Sequence, residues 1–223
     1  MLRLLLPKTR PLRVLCLGAH CDDIEIGCGG TILSLAAAIS EIEIRWIVFS
    51  ANEERKKEAL KSADAFLGST VNKQVVIHTF RDGFLPYTGA EVKDRFEDVK
   101  AHFSPDLILT HYGRDLHQDH RLISELTWNT FRNHLILEYE IPKYDGDFGS
   151  PNIFAPLNEV ICRRKIDTII AAFRTQREKS WFSRDLFLSI LRLRGMEANA
   201  PSGYAEGFYC RKAVLDMEAS CTF

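Results

Sequence analysis

The sequence predicts an α/β fold, a mostly parallel sheet with helices on both faces, and three observations carry that prediction. Short apolar runs alternate with stretches of helical length and pattern through the first half of the chain, the signature of successive βαβ units. The 223 residues are 46% hydrophobic and 26% charged, enough for one sizeable domain with a real core. No internal repeat, low-complexity segment or Pro/Gly-rich linker divides the chain, so residues 1–223 read as a single domain.

The elements follow in order. Residues 13–18 (RVLCLG) form a short buried strand, with Cys16 as plain core packing, and a helix rich in Ala and Leu is predicted from about 29 to 40. Residues 43–50 (EIRWIVFS) give the next strand. The charged, amphipathic stretch 52–67 gives the next helix, and Gly68 is its stop signal. Residues 74–80 are a third strand, 91–103 a helix ended by Ser104 and Pro105, 106–111 a fourth strand, and 121–135 a fourth helix. Beyond Tyr139 the pattern loosens. A loop at 141–156 leads to a strand at 159–163, a helix at 168–174 and a less regular tail, so the C-terminal third (about 140–223) reads as an elaboration.

Composition also excludes function classes. The net charge of −1 provides no basic field to recruit nucleic acid or an anionic membrane. The N-terminal MLRLLLPKTRPLR has too short an apolar run for a signal peptide, and no later stretch is long enough to span a bilayer. The six cysteines (Cys16, Cys21, Cys28, Cys162, Cys210, Cys221) include no CxxC pair, which points to reduced thiols and a cytoplasmic protein.

Two segments carry chemistry. In open parallel sheets ligands bind at the carboxyl ends of the strands. GAHCDDIEIGCGGT follows the first predicted strand, and THYGRDLHQDHR overlaps the end of the fourth; the fold would bring them to one rim. In the first, His20, Asp22 and Asp23 sit on a tight turn with Glu25 just beyond. Adjacent carboxylates repel unless something positive lies beside them, and a divalent cation meets that need. Gly27, Gly29 and Gly30 let the turn pack closely on the following helix. The alternative roles are helix capping by the aspartates, or a dinucleotide fingerprint, whose GxGxxG spacing is missing.

In the second segment, His111, His117 and His120 lie close together, with Asp115 and Asp119 among them. His117 and His120 are three apart, so on a helical turn both rings point the same way. A catalytic zinc asks for about three protein ligands and an open position for water, and one Asp with two His would suffice. The remaining carboxylates are then available as a base and as orienters of the imidazoles.

These residues resemble the PIG-L/LmbE-like zinc N-deacetylases. The family's AHPDD motif with its Gly-rich continuation is matched by AHCDDIEIGCGGT, and its HxDH motif by the end of HYGRDLHQDHR. YAEGF at 204–208 and the Thr175–Gln176 pair resemble two later family stretches, so the likeness spans roughly residues 12–212. It implies a Rossmann-like fold, zinc held by His20, Asp23 and His120, and Asp22 as general base. It further implies His117 as the oxyanion-stabilising or acid histidine, with Asp119 orienting it. The same ligands accept other divalent ions such as iron(II). One departure is Cys21, where the family has a proline that would stiffen the turn; a thiolate near the metal is the alternative, disfavoured because the side chain should point away.

Sugars need polar hydroxyl-binding groups, and phosphates need Arg or Lys. Arg55, Asp82 and Glu206 are the substrate-binding candidates, with Glu58 and Arg114 also near the expected rim. Trp181 and Phe182 are read as core packing before apolar wall. The 141–156 loop is the expected source of specificity, with a homo-oligomer contact as its competing role. The expected activity is release of acetate from an N-acetylglucosamine-type sugar, free or nucleotide-linked. The rivals are a zinc amidase for a non-sugar amide and a non-catalytic sugar- or nucleotide-binding module.

Overall fold

A computed structural model of the chain describes residues 4, 6, 11–69 and 71–215. Cys221 and most of the N-terminal segment discussed above lie outside those residues. The elements run β1 (Leu12–Gly18), α1 (Asp23–Ala38), β2 (Ile42–Ser50), α2 (Glu53–Leu67), β3 (Asn72–Phe80), α3 (Gly89–His102), β4 (Leu107–His111), α4 (Gln118–Thr130), β5 (Leu135–Tyr139), β6 (Ile153–Pro156), α5 (Glu159–Ala172), α6 (Arg184–Glu197) and β7 (Ala205–Tyr209). The 3₁₀ turns Leu85–Thr88 and Arg174–Gln176 complete the list.

The seven strands are ordered β3-β2-β1-β4-β5-β7-β6, with β1 to β5 mutually parallel and β7 antiparallel to both of its neighbours. The chain winds outward from β1 to β3, then returns to lay β4 on the other side of β1. That reversal opens a crevice at the carboxyl ends of β1 and β4, where ligands bind in doubly wound sheets. Both faces of the sheet are covered. Leu12, Val14 and Cys16 pack with α1, α2 and α5 through Ile24, Phe66 and Ile166. Leu15 and Leu17 face the other way, onto Phe96 and Val99 of α3 and Ile123 of α4. Strands buried on both faces read as continuous apolar runs, which is why β1, β2 and β4 were legible, while the edge strand β3 shows only the short run Val75, Val76 and Ile77.

The structure departs from the sequence expectations at several places. α1 starts at Asp23 rather than about 29, so the glycines stand inside a helix and not in the turn before it. Their role is close approach. A Cβ on Gly27 would lie 2.1 Å from Tyr139 Cδ2 and 2.6 Å from its Cγ. Tyr139 cannot swing aside freely, because its hydroxyl donates to the Leu17 carbonyl at 2.6 Å. Gly27→Ala is therefore expected to cost about 1–3 kcal/mol by overpacking, although Ala is the better helix former. Urea unfolding would check this, and a stabilised variant would contradict it.

The expected strand at 159–163 is the first turn of α5, capped by Asn158, whose side chain accepts from Ile161 N at 2.8 Å. Its short apolar run fits either period, and the cap decides. The predicted helix at 121–135 ends at Thr130, and its last residue belongs to β5. The tail holds α6, capped by Ser183, and β7, while the end of the 141–156 loop is β6. Among the described residues no helix is long and apolar enough to cross a membrane.

Candidate active site

The turn after β1 brings His20, Asp22 and Asp23 to the crevice. Asp22 occupies the N-cap of α1, yet its side chain makes no capping bond. Its Oδ1 instead accepts from Arg55 Nη2 at 2.7 Å, so the capping alternative fails for this residue. Asp23 Oδ2 accepts the His20 N–H at 2.6 Å and closes the turn. It also lies 3.1 Å from His111 Nε2 at the end of β4. Cys21 points away from this group: its Sγ donates to the Ser50 carbonyl at 3.6 Å, and burial pushes the thiol up to about 12. Turned to the Ser50 carbonyl, Cys21 Sγ stands apart from the imidazoles and carboxylates of the site.

The second wall follows β4. His117 is the N-cap of α4, and its Nδ1 accepts the Asp119 N–H at 3.3 Å. In the neutral ring that leaves the proton on Nε2. Its ring stacks on His120 at 4.6 Å between centroids, so the two imidazoles do converge, by a cap rather than by a shared helical turn. Asp115 holds the pair from behind: Oδ2 accepts from His120 Nδ1 at 2.9 Å and Oδ1 from the His117 N–H at 2.8 Å. Lys143 Nζ also reaches Asp115 Oδ2 at 2.9 Å, tying the loop after β5 to this wall.

Hydrogen-bond partners settle which nitrogens are bare. His120 gives its Nδ1 proton to Asp115. His20 Nε2 faces two carboxylates, Asp82 Oδ1 at 3.1 Å and Asp119 Oδ2 at 3.3 Å, and carries the proton there. The lone pairs of His20 Nδ1 and His120 Nε2 are then turned on each other at 3.2 Å. Asp23 oxygens stand 3.4 Å from the first and 3.6 Å from the second. A tetrahedral zinc with bonds of about 2.0–2.1 Å needs donor atoms about 3.3 Å apart. The donor set thus fits a divalent cation, each imidazole backed by a carboxylate. Without one, electron pairs would repel unless a proton intervened. Burial opposes charge on His20, but Asp119, Asp23 and Asp82 outweigh it and hold the imidazolium well above its usual range.

The other groups respond to the same field. Burial works against Asp23, yet His120 and His111 keep its carboxyl well below normal. Burial raises Asp22, with Arg55 opposing. Burial, then His111, drives His120 down to about 3, and burial and His20 lower His117.

The PIG-L family model, described as GlcNAc-PI de-N-acetylase, matches residues 15–131, just over half of the 223 residues and spanning both walls. The chain belongs to the PIG-L family. Solved structures share its fold. The conserved protein TT1542 from Thermus thermophilus is 19% identical, with a TM-score of 0.69 over 95% of this chain and 100% of that one. N,N'-diacetylchitobiose deacetylase from Pyrococcus horikoshii is 22% identical, with a TM-score of 0.67 over 89% and 83%. GalB, the 4-carboxy-2-hydroxymuconate hydratase of Pseudomonas putida KT2440, is 16% identical, with a TM-score of 0.68 over 94% and 100%. Such distant likenesses establish the LmbE-like fold and leave the reaction to the site.

In this PIG-L chain a cleft of about 310 Å³ opens over the site, lined by His20, Asp22, Asp23, Arg55, Asp82 and His117 among others. Asp82 is 65% exposed at its rim; the His20 imidazole, with Arg55 beyond, lowers its carboxyl to about 2. Two residues expected at the site behave differently. Glu206 is 3% exposed and does not line the cleft. Its oxygens accept from Gly30 N, Thr31 N, Thr31 Oγ1 and Lys165 Nζ at 2.6–2.7 Å, which leaves nothing for a substrate. Asp119 orients His20, not His117: its oxygens take Gly83 N at 2.8 Å and Leu85 N at 3.1 Å, and face His20 Nε2. Arg114 is exposed, and Glu58 turns to Thr175. Trp181 lines the cleft, whereas Phe182 joins the core. Residues 141–145 form part of the cleft wall. Sequence reasoning missed Lys143 and gave Asp115 no individual role; spacing alone carries no signal for either.

Proposed function

We propose that the chain is a metal-dependent N-deacetylase, with zinc as its metal, that releases acetate from an N-acetylated amino sugar or its conjugate. The reading rests on one observation above all: the bare nitrogens of His20 and His120 converge with Asp23, and the buried Asp22 carboxylate shares their cleft. Family membership supports the reaction class. We read the whole chain as one domain working in the cytoplasm on a small molecule.

His20, Asp23 and His120 would hold the ion, which when bound supplies a water of lowered pKa and polarises the amide carbonyl. The protein does the rest. Asp22, raised by burial, takes the proton of the attacking water, and Arg55 fixes the carboxylate that does so. His117, its Nδ1 committed to the α4 cap, directs its Nε2 proton at the oxygen that gains charge. Asp119 and Asp115 keep the His20 and His120 rings in their ligating tautomers. Asp82 and Arg55 at the rim are suited to bind sugar hydroxyls.

The test is acetate release from N-acetylglucosamine compounds and from non-sugar amides, by protein of measured metal content, with and without chelator. Chelator-sensitive release with about one zinc per chain is the expected result. Activity confined to non-sugar amides would overturn the sugar assignment, and stoichiometric iron would replace zinc. Full activity without metal would overturn the mechanism.

A further inference from the structure

The loop after β5 is tied to the wall at the start of α4 by charged groups, and those ties end one step behind the imidazoles of the site. Lys143, whose side chain is 11% exposed, places Nζ against Asp115 Oδ2 at 2.9 Å and against Asp147 Oδ2. Asp147 Oδ2 in turn accepts the Leu116 N–H at 2.7 Å, while Asp115 Oδ1 accepts the His117 N–H at 2.8 Å. Gly146, at φ 62°, lets the chain reverse so that Asp147 returns to Lys143. Two backbone donors at the entry to α4 are thus held by two carboxylates, with one ammonium group between them.

Charge explains why the bridge is a lysine. The Asp115 and Asp147 side chains are both largely shielded from water. Two such carboxylates drawn to one point repel each other, and a cation between them removes that repulsion. Asp115 Oδ2 is also the acceptor for His120 Nδ1 at 2.9 Å. One oxygen therefore serves a loop lysine and a ring whose other nitrogen faces His20 and Asp23.

The other ties of the loop do not reach that oxygen. Tyr144 Oη meets Ser180 Oγ at 3.0 Å, and Gly149 is held by Arg194 and Tyr209 at the far end. Lys143 joins the cleft wall at 141–145 to the carboxylate that sets the His120 ring. Groups that orient a ligand ring are typically worth about 10- to 100-fold in metal affinity. Coupling between two equilibria is reciprocal, so whatever the loop adds to holding an ion, the ion adds to holding the loop.

We propose that Lys143 is a positioning residue through which the metal ion and the cleft wall at 141–147 stabilise each other. Lys143 fixes Asp115, Asp115 fixes the His120 ring, and an ion on His20, Asp23 and His120 fixes the loop in return. The inference rests on the metal reading given above. It makes the substrate-facing wall firmer in the loaded chain than in the metal-free one.

Hydrogen exchange of the metal-free and zinc-loaded chain, with zinc affinity from competition against a chromophoric chelator, tests this without any turnover. Zinc should slow exchange across residues 141–147 about tenfold, beyond its effect on β3. Lys143→Met combined with Asp147→Asn removes the bridge at constant net charge; Lys143→Met alone would leave two facing carboxylates that attract the ion by charge. The double variant should bind zinc about tenfold more weakly and lose the zinc-dependent protection of 141–147. Tyr144→Phe, which loosens the same loop at a tie that does not reach Asp115, should leave zinc affinity unchanged. A bridge with a structural role alone would lower stability in urea and spare zinc affinity, so a dissociation constant within about twofold of the native one overturns the coupling. If the double variant fails to fold, the native chain decides, and exchange at 141–147 that is indifferent to zinc overturns the proposal. A native chain that binds no zinc removes the metal reading and the coupling together, whereas zinc binding without coupling leaves that reading standing.

Discussion

Asp22→Asn is expected to lower acetate release by about 10²- to 10⁴-fold, the usual worth of a positioned general base, while the metal content stays at about one ion per chain. The reason is the separation of roles between two adjacent aspartates. Asp23 is locked into the turn by the His20 N–H and faces His120, so in the proposed mechanism its carboxylate serves as a ligand. Asp22 makes no cap and contacts Arg55 at the cleft. The amide introduced by the substitution can still accept from Arg55 but cannot take a proton from water. Asp23→Asn should do the reverse, losing metal first and activity as a consequence. Metal analysis beside kinetics separates the two, and an Asp22→Asn variant that kept full activity would remove Asp22 from the chemistry.

The second large effect is on stability. Glu206→Ala is expected to cost about 3–5 kcal/mol, because it breaks a buried pair by removing one partner. Lys165 is itself buried, and would retain only the Ile26 carbonyl at 2.6 Å for its ammonium group. The N–H groups of Gly30 and Thr31, inside α1, would lose their side-chain partner as well. Replacing both members together, Glu206→Leu with Lys165→Met, should recover much of the loss, since apolar groups of similar volume often substitute for a buried pair. Chemical denaturation measures both. A loss below about 1 kcal/mol for the single change would show that the pair is not holding α1 to β7.

Glu206 also marks the limit of what could be read from the chain. Its place in a YAEGF stretch made it a plausible rim residue, yet a carboxylate beside a glycine has the same local sequence whether it meets a sugar or a lysine. Only its distant partners, Lys165 on α5 and Gly30 and Thr31 on α1, distinguish the two. Asp119 gives the same lesson at closer range. Two residues from His117, it suggested a partner for that ring, but the α4 cap turns His117 Nδ1 to the backbone and leaves the carboxylate to His20, far away in the chain. By contrast, His20, Asp22, Asp23, His117 and His120 were legible because their residue types are costly to cluster without a purpose. Of the strands of the first half, β1, β2 and β4 were legible because burial leaves a largely apolar run, and the more exposed edge strand β3 through its short run of Val75, Val76 and Ile77. Beyond Tyr139, β6 and β7 are short and joined through a long loop and two helices, so neither period nor run length reveals them.

The strand order has a consequence for how the protein matures. Residues 12–80 supply three adjacent strands and two of the helices covering one face, so this portion can begin to assemble as it leaves the ribosome. His20 and Asp23 would then wait at an open edge of that partial sheet, because β4 and His120 arrive later and dock beside β1. An ion held by all three is a clasp between early and late parts of the chain, present only once the sheet is closed. Such an ion would stabilise the whole native state by an amount that rises with the free metal concentration. Scarcity of metal would then lower the stability of the native state as well as the fraction of chains able to turn over.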